Sequence, residues 1–221
     1  MPTDSERQSV ISIARRRYAA KAFDPARRVP EEDLRTILEV GRLSPSSFGY
    51  EPWKFLLIRD EALRAELAPI AFGARGVLAG GAELVIILYK KGVVYNSAYA
   101  AHIVTDVLGV DFDPDSQASQ MFKGFQERML GLTSAEDVDH WAQRQTYIAL
   151  ANMLTAAASL DIDSVPLEGF EVAAVTDLLA AKGIIDPAEW GVSVMVGFGY
   201  RAEEIHPKRR RELDEVVQVI G

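Results

Sequence analysis

The sequence predicts a layered α/β or α+β domain in which helices cover a central sheet. Three runs rich in strand-forming residues support the sheet, at 53–58, 84–89 and 192–198. The run at 84–89 is continuously apolar, as expected for a strand that is covered on both faces. Strands separated by helices are typical of one sheet with helical layers. The segments with helical patterns between the second and third runs are 97–108, 118–130, 136–160 and 171–182.

Two further helices are predicted before the first strand. Ser5 or Asp4 can cap a helix that continues through Arg17. Pro30, followed by two glutamates, is typical of a first helical turn, because proline needs no donor there and acids favour the positive helix end. Apolar residues at helical spacing give this second helix one buried face, and it is expected to end near Leu43, before a Ser-Pro pair.

Composition excludes several classes of function. The chain has 221 residues, of which 48% are hydrophobic and 25% charged, so one ordinary globular core is expected. A net charge of −8 disfavours nucleic acid as a partner, since that binding requires cations to neutralise phosphates. No cysteine is present, which excludes disulfides and thiolate chemistry. The three histidines are far apart and lack metal-ligand spacing, so no metal site is predicted.

Neither the N-terminus nor the least charged stretch of the chain predicts a targeting or membrane segment. The first ten residues are charged and lack the apolar core of a signal peptide. Residues 145–160 contain no Asp, Glu, Lys or Arg, yet they include polar side chains and are too few to span a bilayer. We therefore expect a buried helix there, no membrane association and a cytoplasmic location.

Two segments remain outside the helices and strands above, and we find no internal repeat. The acids within residues 109–117 lack the glycine and glutamate of a calcium loop, so a solvated turn is predicted. Residues 216–220 are strand-like and too apolar to remain free in solvent. They are expected to pair with the chain's own sheet or with a second subunit.

No hydrolase elbow, dinucleotide fingerprint or Walker loop is present, and four segments remain as candidates for chemistry. They are a basic run at 15–24, a Ser- and Pro-rich loop at 43–53, a Pro-x-x-Gly bend at 165–170 and a second basic cluster at 206–211. Arginine forks suit a phosphate, and glycine permits close approach of a planar ligand. Taken singly, each segment is equally typical of a helix end, a loop, a turn or a solvated surface.

Taken in order, the four segments resemble the FMN-dependent nitroreductase family, especially its oxygen-insensitive NAD(P)H nitroreductase and dihydropteridine reductase branch. The resemblance spans nearly the whole chain. It implies an α+β fold with three α-β-α layers, a mostly antiparallel sheet and an intertwined homodimer. It also implies a single domain over residues 1–221, with a helical excursion at about 92–132 and a segment at 212–221 that docks on the partner subunit.

The resemblance also implies a set of FMN contacts. Arg17 would bind the phosphate with Lys208 and Arg210, while Lys21 would reach the pyrimidine edge of the ring, where a cation stabilises the charge of reduced flavin. The remaining implied contacts are Tyr18 and Ala19 through their backbones, Pro45, Ser46 and Ser47 from the partner subunit, Pro166 against the ring, and Glu168 and Gly169 near N5.

The sequence departs from the family in two places. The family often has an Asn and a Lys before its second sheet strand, and the alignment puts Ala74 and Val77 at those positions. Arg75 is a candidate replacement for the lysine. Phe48 is bulky where many relatives have a small polar residue, so the acceptor specificity of relatives does not transfer.

The implied mechanism is ping-pong hydride transfer. NADH or NADPH reduces the flavin, leaves, and is replaced by a small planar acceptor such as a nitroaromatic or quinone, without a dedicated catalytic side chain. Phe48, Phe122 and Phe125 are the candidate acceptor-lining residues. The alternatives are another flavin chemistry (dehalogenation or flavin fragmentation), a non-enzymatic flavin-binding protein, or an α/β binding module whose basic runs are surface features.

Overall fold

The computed structural model describes residues 1–221 and contains one four-stranded sheet. Its strands are β1 (Trp53–Ile58), β2 (Ala82–Lys90), β3 (Asp163–Leu167) and β4 (Trp190–Gly199), in the order β1-β2-β4-β3. All three neighbouring pairs are antiparallel, which confirms the α+β prediction. The three predicted strands are present. β3 was missed, because its segment was expected to form only a bend.

Eight α-helices accompany the sheet. They are α1 (Asp4–Arg16), α2 (Glu31–Arg42), α3 (Glu61–Leu67), α4 (Arg75–Leu78), α5 (Ala98–His102), α6 (Gln117–Gly124), α7 (Ala135–Ser159) and α8 (Val172–Ala181). None of them is both long and apolar enough to cross a bilayer.

The alternating side chains of β2 produce the three layers. Leu84, Ile86 and Leu88 are fully buried on one face, in a cluster that includes side chains of α3, α4 and α8. Val85 and Ile87 are fully buried on the other face, against side chains of α2 and α7. Because strand side chains alternate between faces, one apolar run supplies both cores. This confirms the predicted helical cover on both sides of the sheet.

The long helix α7 lies on the sheet but keeps an open face. Ser134 caps its N-terminus in a capping box: the Ser134 side chain accepts from the Asp137 backbone N–H, and the Asp137 side chain accepts from the Ser134 backbone N–H. Its buried side chains include Thr146, whose hydroxyl is 2.7 Å from that of Ser193 on β4. The uncharged stretch at 145–160 was expected to be a buried helix. Tyr147 and Ile148 are both 38% exposed, so only the faces of this helix that pack against the rest of the chain are buried.

The helical excursion has two similar halves. A π-helical turn at Ile103–Val107 extends α5, and another at Phe125–Met129 extends α6. Gly109 and Gly131 follow them with φ of 68° and 64°, a left-handed conformation that suits glycine at the end of a helix. A third apolar cluster, which includes Phe122 and Trp141, fixes the excursion to α7.

The two ends of the chain are largely exposed to solvent. Thr3 caps α1 with a capping box to Glu6, so the prediction of Ser5 or Asp4 as the cap was wrong. No residue of α1 is buried. Residues 216–220 form no strand within this chain and are exposed, so the alternative that they pair with the chain's own sheet is wrong, while docking on a second subunit stays a prediction. Their backbone pairs with none of the sheet strands, since β1 and β3 form the two edges alone.

Candidate flavin site

Three cations from the two ends of the chain converge on one cavity. Arg17, Lys208 and Arg210 line a cavity of about 630 Å³, and its other lining residues are Tyr18, Ala19, His206, Pro207 and a fourth cation, Arg209. Burial and the nearby Arg210 lower the pKa of Arg17. Burial, Arg17 and Arg210 lower the pKa of Lys208. None of the three forms a salt bridge. A group of like charges without a carboxylate partner is suited to an anion. We call these three residues the phosphate clamp.

Lys208 also joins the two chain ends. Its ammonium donates hydrogen bonds of 2.6 Å to the carbonyl oxygens of Ala14 and Arg17. These carbonyls belong to the last turn of α1 and to its C-cap, where orphan acceptors and the helix dipole favour a cation. The residues from 205 to 221 are otherwise exposed, so this contact holds the second basic cluster beside the first.

Beyond Arg17 the chain runs along the open edge of β3. Ala19 forms a parallel bridge with Ser164, and the Ala20 backbone N–H donates to the Ser164 carbonyl at 3.3 Å. Ala20 is buried in the core, which fixes this segment. Glu168 follows Ser164 by four positions, which is about 13 Å of extended chain. The clamp and the Pro166–Gly169 segment therefore lie along one edge of the sheet.

Pro166 and Glu168 adjoin an apolar cavity of about 450 Å³. Its other lining residues come from β4 and α7, and are Tyr147, Leu150, Ala151, Leu154 and Val194. Pro166 is exposed on an edge strand, where its missing N–H disrupts no ladder. The Gly169 carbonyl accepts a 2.7 Å hydrogen bond from the Gly73 N–H. An apolar recess beside a Pro-Gly edge suits a planar ring. We call Lys21 and Pro166–Gly169, with this recess, the ring side.

In the segment before β2, two glycines lie against the ring side. Ala74 and Val77, the two positions at which the sequence departs from the family, are buried in the core, so neither side chain extends to the ring side. Gly73 contacts Gly169, and a Cβ on Gly76 would overlap the Lys21 carbonyl oxygen. The positions that face the site carry no side chain, while Arg75 remains exposed beside them.

Lys21 itself is exposed at this junction. Its backbone N–H donates a 2.6 Å hydrogen bond to the Glu203 carboxylate. That bond fixes the backbone, while the side chain extends into solvent. Phe72 lies close by: it is 56% exposed, and its ring packs over Gly169. Sequence reasoning missed Phe72, Gly73, Gly76 and Tyr147. The Gly-x-x-Gly spacing was the only signal available for any of them.

The Ser- and Pro-rich loop lies on the opposite side of α7. The Ser47 backbone N–H donates to the Gln145 side chain at 2.9 Å, and the Asn152 side chain donates to the Ser44 hydroxyl at 2.9 Å. On the ring side, Tyr147 contacts Glu168. Residues two apart on a helix point about 200° apart, so Gln145 and Tyr147 face opposite ways.

The structure thus keeps the loop and the ring side of one chain apart. Pro45 is exposed and Ser47 half-buried, and the Ser46 hydroxyl accepts from the Glu51 N–H at 2.8 Å. These contacts order the loop without directing it toward the chain's own Pro166. It presents its outer face to solvent.

The three predicted acceptor-lining aromatics do form one cluster. Phe48 has its ring centroid 4.8 Å from those of Phe122 and Phe125. Only Phe48 is substantially exposed, at 39%, and its φ of 57° is unusual for a residue of this size. Phe122 is fully buried beneath it and stacks on Tyr50, so it supports the surface of the cluster rather than forming it.

Comparison with known proteins identifies the family. The model of the nitroreductase family matches residues 14–200. The chain belongs to the nitroreductase family. A Staphylococcus aureus (strain USA300) protein, named provisionally as an NAD(P)H nitroreductase, is 43% identical over 215 residues, which is 97% of this chain and 96% of that protein. A similarly named Staphylococcus haemolyticus protein is 41% identical over 98% of this chain and 99% of its own length.

Solved structures share the nitroreductase fold. A nitroreductase-like protein from Streptococcus mutans superposes with a TM-score of 0.79 at 14% identity, covering 97% of this chain and 100% of that one. A provisionally assigned nitroreductase from Exiguobacterium sibiricum, solved in complex with FMN, gives 0.74 at 17% identity and covers 100% of this chain and 99% of that one. At such identities the likeness concerns the fold.

Proposed function

We propose that this nitroreductase-family chain is an FMN-dependent NAD(P)H oxidoreductase that reduces small planar acceptors. The observation that carries the proposal is the phosphate clamp. Three cations with no acidic partner lie at one end of a sheet edge, and an apolar recess lies about one strand length away. That spacing suits a ligand with a phosphate at one end and a planar ring at the other.

Each part of the site has a distinct task. Arg17, Lys208 and Arg210 would hold the phosphate dianion, since charge-assisted bonds are about twice as strong as neutral ones. Lys21 would stabilise negative charge at the pyrimidine edge. Pro166 and Gly169 would let the ring lie against the backbone. When bound, FMN supplies the ability to accept hydride from NADH or NADPH and to pass it on.

The acceptor and the nicotinamide would use the same open surface in turn. Glu168 and Tyr147 are the only titratable side chains that line the apolar recess, and they are hydrogen-bonded to each other. The residues of this chain therefore bind and orient rather than act as a nucleophile. Planar molecules such as nitroaromatics and quinones fit a surface bordered by exposed aromatic rings.

We infer that two chains complete each site. One chain places its loop at 45–48 and its ring side on opposite faces of α7. The faces that would meet in a dimer are those left open: Tyr147 and Ile148 on α7, and Val10 and Ile11 on α1. The apolar residues at 216–220 would also be covered by the partner. A C2 dimer would bring each loop to the other chain's ring side.

Absorption spectroscopy tests the proposal most simply. We expect the protein to bind FMN with flavin bands in the visible spectrum. NADH or NADPH should bleach these bands under nitrogen, and a quinone or nitroaromatic should restore them. A protein that binds no FMN when it is added would contradict the proposal. Bound flavin that neither donor bleaches would support flavin binding without oxidoreductase activity.

A further inference from the structure

A further cavity lies between the helical excursion and the start of α7. Its volume is about 420 Å³, a size typical of sites for small molecules. Its walls come from the loop after β2, from the π-helical turn at Phe125–Met129 and from the first turn of α7. It shares no lining residue with the cavity of the phosphate clamp or with the apolar recess.

The side chain of Gln126 presents an amide oxygen without a partner to this cavity. The residue is 3% exposed and lines the cavity. Its side-chain nitrogen donates a 2.8 Å hydrogen bond to the Val93 carbonyl, which can only accept, so the oxygen is the free atom of the amide. No fully enclosed side-chain oxygen of a buried residue lacks a partner in this chain. The Gln126 oxygen is therefore not enclosed, and it opens to the cavity.

The other half of the excursion shows that the π-helical turn does not require an amide at this position. The Val104 carbonyl accepts from the Val110 N–H at 3.0 Å, and the Gln126 carbonyl accepts from the Leu132 N–H at the same distance. Val104 is thus the counterpart of Gln126, and it packs against the third apolar cluster. Turns of this kind often occur at functional sites. The amide nitrogen of Gln126 satisfies the buried Val93 carbonyl, while its oxygen remains available to a ligand.

The charges around the Gln126 oxygen favour a cationic donor. Glu127 lines the cavity, and its exposed carboxylate forms no salt bridge. No lysine or arginine lines the cavity. The N–H groups of Thr133 and Ser134 already bond to the Asp137 carboxylate, which offsets the positive end of α7. An ammonium group would find two acceptors here, whereas an anion would lie beside an unpaired carboxylate.

We propose that this cavity binds a small organic ammonium ion that carries an apolar chain. Its N–H groups donate to the Gln126 oxygen and the Glu127 carboxylate. Its chain packs against Val94, Leu132 and Val138, which are half-buried or buried in the cavity wall. We call these five residues the amine site. The inference does not rest on the proposed function, since the amine site contains no residue of the clamp or the ring side.

Titration with n-butylammonium chloride tests the inference. The full chain, with labelled methyl groups, is titrated at constant ionic strength while the methyl signals of Leu132 and Val138 are followed by NMR. Tetramethylammonium chloride has the same charge without an N–H donor, and n-butanol has the same chain without the charge. We expect n-butylammonium to bind at least fivefold more tightly than either control. No saturable binding would mean that the Gln126 oxygen binds water alone, and this result, like equal binding of the two cations, would overturn the inference.

Glu127→Gln and Glu32→Gln form a matched pair of variants. Glu127 lines the cavity, whereas Glu32 is an exposed glutamate of α2 that does not. Glu127→Gln should raise the Kd for n-butylammonium at least threefold, because a neutral amide accepts more weakly than a carboxylate. Glu127→Lys should abolish saturable binding, and Glu32→Gln should keep the wild-type Kd. Equal Kd values for Glu127→Gln and Glu32→Gln would contradict the proposed contact.

The position of the bound amine provides the second measurement. In the wild type, cross-relaxation is expected between the butyl chain and the methyl groups of Leu132 and Val138. Cross-relaxation only with methyl groups elsewhere would place the amine on another surface and overturn the inference. Gln126→Met should abolish binding, because it removes the free oxygen at a similar side-chain size. If the loss of the Val93 partner unfolds this variant, the Glu127 variants and the position of the amine decide the question.

Discussion

The two faces of helix α7 carry the two halves of the proposed site, and the chain builds them differently. On one face, the phosphate clamp and ring side are already assembled along the edge of β3. On the other, the loop at 45–48 is ordered by Gln145 and Asn152 but turned away from that edge. One chain can therefore present both halves without joining them. Under the proposed function, cofactor affinity would begin in one chain and a complete site would require two copies.

Removing the clamp should give the largest effect. Arg17→Ala combined with Arg210→Ala removes two charge-assisted contacts, each worth about 1.5 to 3 kcal/mol, so the Kd for FMN should rise about 100-fold or more. Fluorescence quenching of FMN measures it. Arg15→Ala combined with Arg211→Ala removes the same charge outside the cavity and serves as the control. Equal Kd values for the two double variants would show that the clamp is misplaced.

Disturbing the support of the ring side should have the next largest effect. A Cβ in Gly76→Ala meets the Lys21 backbone oxygen, which cannot move freely because Ala20 is buried. We expect about 2 kcal/mol of destabilisation, as for overpacking, measured by urea unfolding. In Gly124→Ala the new methyl meets only the end of the Arg128 side chain, so it should cost less. A fully stable Gly76→Ala would contradict this close packing.

Loosening the connection between the chain ends should have a smaller effect. Lys208→Gln removes the ammonium that bridges the Ala14 and Arg17 carbonyls, and we expect a loss of about 1 kcal/mol together with faster subtilisin cleavage after residue 202. Arg211→Gln, in the same exposed segment, should behave as the wild type. Equal cleavage rates for the two variants would show that this contact does not order the segment.

The smallest predicted effect concerns inorganic phosphate. Burial, together with repulsion from Arg17 and Arg210, lowers the pKa of Lys208, and a bound anion would relieve the repulsion. Phosphate should therefore stabilise the apoprotein more than chloride at equal ionic strength, by about 0.4 kcal/mol in the free energy of unfolding when its concentration equals its Kd, and this is measured as a higher Tm. The Arg17→Ala and Arg210→Ala double variant should respond equally to both salts, and a persisting phosphate effect would place the anion elsewhere.

The parts of the fold with strong periodicity could be predicted from sequence. The strands at 53–58, 84–89 and 192–198 and the helix at 136–160 carry long apolar patterns, and the structure contains each of them. β3 was missed because a short edge strand that contains Pro166 has little sequence signal. The burial of Ala74 and Val77 could not be predicted either, because one short helical turn has too little periodicity to show which of its side chains enter the core.

The candidate site divides in the same way. Two dense basic runs predicted the clamp, since the structure brings Arg17, Lys208 and Arg210 to one cavity. The contact between Tyr147 and Glu168 could not be predicted, because it depends on α7 lying beside β3, which no local pattern encodes. The burial of Phe122 could not be predicted either, because helical spacing does not show that Phe48 covers it.

Mixed dimers test the central claim most directly, namely that each site joins one chain's clamp to the other chain's loop. One partner carries Arg17→Ala and Arg210→Ala, and the other carries Ser47→Glu, which adds bulk and charge at the loop. Two affinity tags isolate the mixed dimer, and FMN titration counts its tight sites. If sites are shared, one site receives both defects and the other receives none, so one tight site per mixed dimer is predicted, while both parent homodimers have none. No tight site in the mixed dimer would mean that each chain builds its site alone, and would contradict the account.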